Sequence, residues 1–266
     1  MNAIFEIRDI RAGYGEREVV HGVSFSLRPG ELGALLGLNG SGKTTLLRSV
    51  CGLLPSTGER YVQGVSLQGL SKKEQARRLS FVPQTPSPIE GKTVLEVLLM
   101  GANPHLKLLE SPGEAYRQKA RAALALLGLE AFETRFFHTL SQGQKQLIIL
   151  ARTLVQDAPV MLMDEPDSAL DFLNRHMVLG KIRELVETQQ RGGLITLHDP
   201  NFAMAYCHRL FLLKEGTLVD ILDMTTASRQ EAENKLSLLY GPICLLEQDG
   251  CFLMGKRNGA VPSENQ

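Results

Sequence analysis

The sequence predicts an α/β fold with an antiparallel β subdomain at its N-terminus and a helical subdomain inserted in the middle. Residues 1–30 alternate apolar and polar side chains, as in IFEIRDI and VSFSL, which is typical of half-buried antiparallel strands. Continuous apolar runs, which suit strands buried on both faces of a parallel sheet, follow at 32–37, 79–83, 160–164, 193–198 and 209–213. Helical patterns separate these runs, and the alternation of strands and helices predicts an α/β core.

The remaining elements complete this prediction. The last apolar run begins a predicted hairpin, LFLLKEGTLVDIL, with Glu215 and Gly216 at its turn. The segment of about 85–155 has no strong strand signal and follows the proline-rich PQTPSP, so we expect the inserted helical subdomain there. We therefore assign one domain to 1–225 and a C-terminal extension to 226–266. The extension ends in the polar stretch NGAVPSENQ, for which we expect disorder.

Composition and charge narrow the possible partners. At 266 residues the chain is near the upper limit for one domain. Lys and Arg together number 29, as do Asp and Glu, so the basic excess that is typical of nucleic-acid binding is missing. The N-terminus lacks the apolar region of a signal peptide, and no apolar run approaches the ~20 residues of a membrane-spanning helix. We expect a cytoplasmic protein with reduced cysteines, whose membrane role depends on a partner.

A phosphate-binding loop is the strongest local signal. The stretch GLNGSGKT at 37–44 fits G-x-x-x-x-G-K-[ST] between a predicted strand and a predicted helix. Glycines let backbone N–H groups surround phosphate oxygens, Lys43 supplies a charge for the β and γ phosphates, and Thr44 can ligate Mg²⁺. A chance glycine-rich turn is the alternative, although a random chain of this length contains the pattern only about one time in a hundred. The candidate nucleotide-binding residues are Gly37, Leu38, Asn39, Gly40, Ser41, Gly42, Lys43, Thr44 and Thr45.

Two carboxylates follow the buried run at 160–164. Asp164 ends this run and Glu165 comes next, so both lie at the carboxyl edge of a predicted parallel strand, where ligands bind in open α/β sheets. Asp164 would hold Mg²⁺ through water, and Glu165 would be the general base that activates the attacking water. A solvated acidic pair at a strand end is the alternative, and only the phosphate-binding loop argues against it.

A third motif, LSQGQ at 140–144, precedes the helical run KQLIILARTL. Together with the phosphate-binding loop and MDEPDSALD at 163–171, it resembles the ABC ATPase family, whose signature usually reads LSGGQ. The resemblance extends from about Phe5 to Leu222, with the motifs in family order. It implies a P-loop NTPase core that hydrolyses ATP with Mg²⁺.

The resemblance also implies further residues around the nucleotide. Tyr14 resembles the aromatic residue that stacks on adenine, although a turn tyrosine is an equal alternative. Gln84 resembles the glutamine that reaches Mg²⁺ and the attacking water and reports on the partner subunit. His198 resembles the switch histidine that binds the γ-phosphate, although a strand-end histidine on its own is more often structural.

The signature and the residues after the acidic pair imply a second subunit. Ser141, Gly143 and Gln144 resemble signature residues, which contact the γ-phosphate bound to the other protomer. Asp171 resembles the aspartate that communicates across the dimer. The family therefore implies a head-to-tail homodimer with two ATP molecules at its interface.

Three residues depart from the family pattern. Gln142 replaces the first signature glycine, and a positive φ there would cost glutamine more than glycine. Asp167 stands where Thr or Ser commonly follows the proline, and Pro200 lies two residues past His198. None of these changes removes a catalytic group, so we expect altered rates rather than an inactive enzyme.

The stretches TVLEVLLMG at 93–101, PHLKL at 104–108 and HDPNFAMAY at 198–206 resemble ATPases of importers for iron-siderophores, haem, cobalamin and related metal chelates or oxyanions. The resemblance implies a place on the cytoplasmic face of the inner membrane, with 85–110 against a membrane permease and a substrate-binding protein acting indirectly. Ordinary helical packing is the alternative for 85–110. A soluble ATPase of iron–sulfur cluster assembly and an exporter subunit stay open. Neighbouring genes for a polytopic permease and a secreted binding protein would favour the importer.

Overall fold

The computed structural model describes residues 3–248 and 250–257. The predicted disordered end, NGAVPSENQ, lies outside the described residues. The strands and helices in chain order are β1 (Phe5–Tyr14), β2 (Arg17–Leu27), β3 (Leu32–Leu36), α1 (Lys43–Val50), β4 (Ser56–Val62), β5 (Val65–Ser66), α2 (Lys72–Ala76), β6 (Leu79–Val82), α3 (Val94–Leu99), α4 (Glu114–Leu126), α5 (Gln142–Gln156), β7 (Val160–Asp164), α6 (Phe172–Thr188), β8 (Gly192–Thr196), α7 (Pro200–Tyr206), β9 (Arg209–Lys214), β10 (Thr217–Asp223), α8 (Arg229–Tyr240), β11 (Ile243–Gln248) and β12 (Cys251–Lys256).

A six-stranded sheet in the order β10-β9-β3-β8-β7-β6 forms the centre of the molecule. All its strands are parallel except β10, which pairs antiparallel with β9 at the edge. Every residue of β3, β7 and β8 is buried, which explains their continuous apolar sequences. The predicted α/β core is confirmed. Because β8 lies between β3 and β7, the carboxyl ends of these three strands meet at one edge of the sheet.

The N-terminal β subdomain is an antiparallel sheet in the order β2-β1-β4-β5. Phe5 and Ile7 of β1 are buried in one hydrophobic cluster with Leu46 of α1 and Phe211 of β9. The sheet therefore packs against the helix that follows the phosphate-binding loop. The antiparallel prediction is confirmed, but β4 and β5 were not predicted, because STGERYV contains too few apolar residues to show an alternation.

Helices α3, α4 and α5 occupy the region predicted to be helical, and within the described part of the chain no strand lies between β6 and β7. Capping boxes begin two of these helices: Thr93 pairs with Glu96 at α3, and Ser141 pairs with Gln144 at α5. Buried side chains of all three helices, such as Val97, belong to the same hydrophobic cluster as the central sheet. Helix α5 thus leads from the signature motif back to β7.

The C-terminal segment packs on the central sheet and on α7. Helix α8 contacts β9 and β10, and the β11–β12 hairpin contacts α7 through β12. The backbone N–H of Met254 donates to Asn201 Oδ1 at 2.7 Å. Leu236 and Ile243 are buried in the same cluster as Leu32 of β3. None of the helices in the described ranges is both long enough and apolar enough to cross a membrane.

Candidate nucleotide-binding site

The phosphate-binding loop joins β3 to α1, and its glycines are required by geometry. A Cβ on Gly37 would lie 2.3 Å from the Leu213 carbonyl oxygen and 2.4 Å from Ser41 Oγ, so no other residue fits. Gly40 and Gly42 have φ values of 80° and 99°, in the left-handed region that glycine occupies without strain. Residues 37–42 therefore form one tight turn ahead of α1, and Lys43, Thr44 and Thr45 are the first residues of that helix.

Lys43 points back into this turn. Its side chain is buried, and Nζ donates to the carbonyl oxygens of Gly37 at 2.8 Å and Leu38 at 3.2 Å. Burial lowers the pKa of Lys43, against the opposing effect of the negative charges of Glu165 and Asp164. The ammonium group is therefore held by the loop carbonyls, where the negative charges of the two carboxylates also act on it.

The loop has open hydrogen-bond donors that suit a phosphate group. Among the described residues, no acceptor receives the backbone N–H groups of Asn39, Gly40, Gly42, Lys43 or Thr44, and Gly42 provides no side-chain cap for α1. The Ser41 hydroxyl is buried without a hydrogen-bond partner within the same described part. Converging amides at a helix N-terminus bind anions, so these residues fit the phosphates of a nucleotide.

Asp164 lies beside the loop at the end of β7. It is 1% exposed, and its Oδ1 accepts hydrogen bonds from Thr44 Oγ1 at 3.2 Å and Thr196 Oγ1 at 2.9 Å. The start of α1 and the end of β7 thus bring together the predicted Mg²⁺ ligands Thr44 and Asp164, which lie far apart in the sequence. A hydroxyl and a carboxylate are oxygen ligands of the kind that Mg²⁺ takes in proteins.

Glu165 is the centre of a second cluster. Its Oε2 accepts a hydrogen bond from Gln84 Nε2 and lies 2.7 Å from His198 Nε2. Its backbone has a φ of 46°, which is uncommon for a residue other than glycine, and its N–H donates to Thr196 Oγ1 at 2.8 Å. The structure therefore brings together Gln84, Glu165 and His198, three residues predicted separately, around one carboxylate oxygen.

The signature motif lies at the N-terminus of α5. Ser141 and Gln142 are exposed, and Ser141 Oγ accepts from the Gln144 N–H at 3.3 Å while the Gln144 side chain accepts from the Ser141 N–H at 3.0 Å. A Cβ on Gly143 would lie 3.0 Å from the Ala169 carbonyl oxygen and 3.2 Å from Leu170 Cδ2. Glycine at 143 therefore allows the start of α5 to approach the segment that follows the acidic pair.

Comparison with known proteins decides the family. The ABC transporter family profile matches residues 20–168. The petrobactin import ATP-binding protein FpuD of Bacillus anthracis is 32% identical over 256 residues, which cover 92% of this chain and 94% of FpuD. The chain belongs to the ABC transporter family. ATP-binding proteins of this family are ATPases that power transport, and this cassette is one of them.

Two solved structures extend the comparison. One is an inward-facing transporter assigned to the metal-chelate type, with a TM-score of 0.78 and 28% identity over 95% of this chain and 96% of that chain. The other is a dimeric ATP-binding cassette in a post-hydrolysis state bound to ADP and Pi. It has a TM-score of 0.74 and 26% identity, covering 84% of this chain and all of that one. Cassettes of this family thus form dimers, and they act together with membrane permease subunits.

Several predicted site residues form no hydrogen bond or ion pair with the phosphate-binding loop of their own chain. Tyr14 ends β1 and is half exposed. Asp171 caps α6, where its Oδ1 accepts from the Asn174 N–H at 2.9 Å. Within the described ranges, no hydrogen bond or ion pair joins Tyr14, Asp171 or Ser141 to residues 37–44.

The three departures from the family pattern fit the cassette without strain. Gln142 is the first residue of α5 and has an ordinary helical backbone, so it does not have the positive φ that would disfavour glutamine. Pro200 is the first residue of α7, a position that suits proline, and Asp199 caps the same helix. Asp167 is buried, and its Oδ2 lies 3.6 Å from Arg175 Nε. Burial raises the pKa of Asp167 more than the Arg175 charge lowers it.

Thr196 is the site residue that the sequence did not predict. It ends β8 and is fully buried, and its hydroxyl contacts both acidic residues. The available signal was a polar residue inside the apolar run GLITLH, which is unusual for a strand buried on both faces. The sheet order β3-β8-β7, which places Thr196 next to Asp164, is not visible in the sequence.

Proposed function

We propose that this cassette hydrolyses ATP at the interface of a head-to-tail homodimer and thereby powers import of an iron-siderophore, haem, cobalamin or related metal chelate or oxyanion. The observation that carries the proposal is the arrangement of open loop amides and Lys43 beside a buried Glu165 that contacts both Gln84 and His198. This arrangement can bind phosphates and place a base next to them.

The roles of the chain's own residues follow from their positions. The loop amides and Lys43 would bind the β and γ phosphates, and Glu165 would take a proton from the attacking water. Gln84 and His198 both contact Glu165 and would orient it. Gln84 would also reach the attacking water, and His198 would hydrogen-bond the γ-phosphate. Thr44, Asp164 and Gln84 would hold Mg²⁺, which when bound neutralises negative charge on the β and γ oxygens.

A second copy would complete the site. Ser141, Gly143 and Gln144 form the outward-facing end of α5, where the capping box satisfies two of the backbone N–H groups and leaves the remaining polar groups for a ligand. The dimeric neighbour bound to ADP and Pi supports the pairing of two cassettes. We infer that these three residues, with Asp171, act on the nucleotide of the partner, whereas Tyr14 stacks on the adenine of its own nucleotide.

The import role rests on relatives and on one exposed surface. The petrobactin relative and the metal-chelate-type transporter both support a metal chelate as the cargo. Within 85–110, which we propose contacts the permease, Leu108 and Leu109 are 92% and 96% exposed. Two adjacent leucines in water favour an interaction surface. We place the cassette on the cytoplasmic face of the inner membrane, with a substrate-binding protein acting only through the permease.

Turnover and molar mass test the ATPase proposal together. Glu165→Gln should lower Mg-ATP hydrolysis by at least ~100-fold, the low end for loss of a general base, while ATP binding persists. Light scattering should show that the variant dimerises only with ATP. Glu184→Gln, which changes an exposed carboxylate on α6, is the matched control and should turn over normally. Full activity of Glu165→Gln would show that another group is the base.

The import role needs a separate test. The cassette, co-expressed with a polytopic permease encoded beside it, should co-purify with that permease. In vesicles, its ATP hydrolysis should rise when a metal chelate and the binding protein are added. Hydrolysis that no metal chelate stimulates, together with ATP-dependent loss of a compound from loaded vesicles, would favour an exporter. Co-purification with a cytosolic scaffold would favour iron–sulfur cluster assembly.

A further inference from the structure

Thr196 places a single hydroxyl group between the two acidic residues of the site. It is the last residue of β8, whose other residues are Gly192, Gly193, Leu194 and Ile195, and its relative exposure is 0%. A hydroxyl in such a place is unfavourable unless both its donor and its acceptor capacity are used. The two neighbours that use them are Asp164 and Glu165.

The direction of both hydrogen bonds is fixed by chemistry. The Glu165 N–H can only donate, so Thr196 Oγ1 is the acceptor at 2.8 Å. The single hydroxyl proton is then free to be donated to Asp164 Oδ1 at 2.9 Å, which as a carboxylate oxygen accepts it. One side chain thus fixes the carboxylate of the proposed Mg²⁺ ligand and the backbone of the proposed base.

The Glu165 backbone needs such a support. Its φ of 46° lies in the left-handed region, which residues other than glycine seldom occupy. With the backbone in this conformation, the Glu165 carboxylate contacts Gln84 and His198. His198 follows Thr196 by two residues. The end of β8 therefore contacts Glu165 at two points: Thr196 accepts from its backbone N–H, and His198 contacts its carboxylate.

We propose that Thr196 is a positioning residue for ATP hydrolysis, acting through Asp164 and Glu165. Thr44 Oγ1 approaches the same Asp164 oxygen at 3.2 Å, but Thr44 is itself a proposed Mg²⁺ ligand. Thr196 therefore keeps Asp164 oriented when the Thr44 hydroxyl is engaged by the metal. This inference rests on the roles proposed above for Asp164 and Glu165.

A graded series of substitutions tests the inference. Thr196→Val keeps the shape and removes the hydroxyl, Thr196→Ser keeps the hydroxyl, and Thr196→Cys supplies a weaker donor. Thr196→Val should lower kcat by about ten- to a hundredfold, the range for a lost hydrogen bond to a charged group, and should raise the Mg²⁺ concentration that gives half-maximal activity. ATP binding without Mg²⁺ should stay near the wild-type affinity. Thr196→Ser should restore most of kcat, and Thr196→Cys should fall between Ser and Val.

A control separates positioning from a general contribution to folding. Thr153→Val makes the same change at another buried threonine, whose hydroxyl donates to the Leu150 carbonyl oxygen within α5. It should lower Tm without changing the Mg²⁺ requirement. If Thr196→Val does not fold, the Ser and Cys variants test the inference instead, because Thr196→Cys should then need more Mg²⁺ for half-maximal activity than Thr196→Ser.

The inference is wrong if Thr196→Val keeps the wild-type kcat and Mg²⁺ requirement, or if Thr196→Ser is as impaired as Thr196→Val. Equal Mg²⁺ requirements of the Ser and Cys variants would also overturn it. Glu165→Gln, measured in parallel, separates this failure from failure of the proposed function. A normal Thr196→Val beside an inactive Glu165→Gln removes only the role of Thr196. A fully active Glu165→Gln removes the assignment of the base itself.

Discussion

The two ends of the proposed composite site are built differently. At the loop end, Asp164 and Glu165 are 1% and 5% exposed. Their contacts come from α1 through Thr44, from the end of β8 through Thr196, and from Gln84, which follows β6. At the signature end, Ser141 is exposed and forms its hydrogen bonds with Gln144 and Lys145 of the same helix turn. The fold therefore assembles one half of the site internally and presents the other half on its surface.

This difference implies two kinds of sensitivity to substitution. Changes at the loop end disturb contacts within one chain, so they should act on nucleotide binding or on chemistry in each protomer. Changes at the signature end should leave nucleotide binding to the isolated chain intact and act only when two chains meet. Substitutions at the two ends therefore test whether the two halves of the site differ in this way.

The largest of these effects is expected at Gly143. A Cβ in Gly143→Ala would crowd the Ala169 carbonyl oxygen at 3.0 Å and shift the segment that leads to Asp171. We expect hydrolysis to fall about tenfold, which corresponds to ~1.4 kcal/mol of transition-state stabilisation, while ATP binding to the monomer is unchanged. Steady-state hydrolysis and nucleotide titration measure the two quantities. Gln142→Gly is the control at the neighbouring residue, whose ordinary backbone predicts a small effect. A Gly143→Ala protein that loses ATP affinity as a monomer would contradict the comparison.

A smaller effect is expected at Tyr14 on the loop side. If the half-exposed ring stacks on adenine, Tyr14→Ala should weaken ATP binding about fivefold, the scale of ~1 kcal/mol for an aromatic pair. Tyr14→Phe keeps the ring and should bind ATP normally. Calorimetric titration of both variants measures the difference. Equal affinity in Tyr14→Ala and wild type would support the turn tyrosine instead.

The smallest effect concerns stability at Asp167, close to the loop end. Burial raises the pKa of its carboxyl above the ordinary value of 3.8, so the folded protein binds this proton more tightly than the unfolded chain. Ionisation of Asp167 therefore costs stability as the pH rises from the ordinary value through the folded pKa. Asp167→Asn should raise Tm at about pH 8, and the gain should shrink as the pH falls toward about 4. If Asp167→Asn instead has a lower Tm than the wild type at about pH 8, the ion pair between Asp167 and Arg175 outweighs the cost of burying the carboxylate.

The sequence predicted those strands whose burial is visible in the local pattern of apolar and polar residues. Strands β3, β7 and β8 are buried on both faces, so their apolar runs were sufficient. Strand β4, with the sequence STGERYV, is mostly polar, so it shows no apolar alternation. Helix α8 and the hairpin that follows it are recognised only through their packing on β9, β10 and α7. These elements depend on tertiary contacts, which leave a weak local signal.

The same reasoning applies to the site. Contiguous motifs such as GLNGSGKT identified the loop residues, and the glycines proved necessary for its geometry. Thr196 was missed because its importance comes from strand order, which brings it next to Asp164 from 32 positions away. The backbone of Gln142 was also beyond prediction, because a helix boundary decides whether a signature residue needs a positive φ.

The packing of α8 and the β11–β12 hairpin has a consequence for how the molecule unfolds. Leu236, Leu239 and Ile243 share one hydrophobic cluster with β3, and the Asn201–Met254 hydrogen bond joins the hairpin to α7. Detaching this segment would open the apolar centre of the ATPase core to water. Heating should therefore melt α8, the β11–β12 hairpin and the central sheet in one cooperative transition, with a single calorimetric peak rather than two.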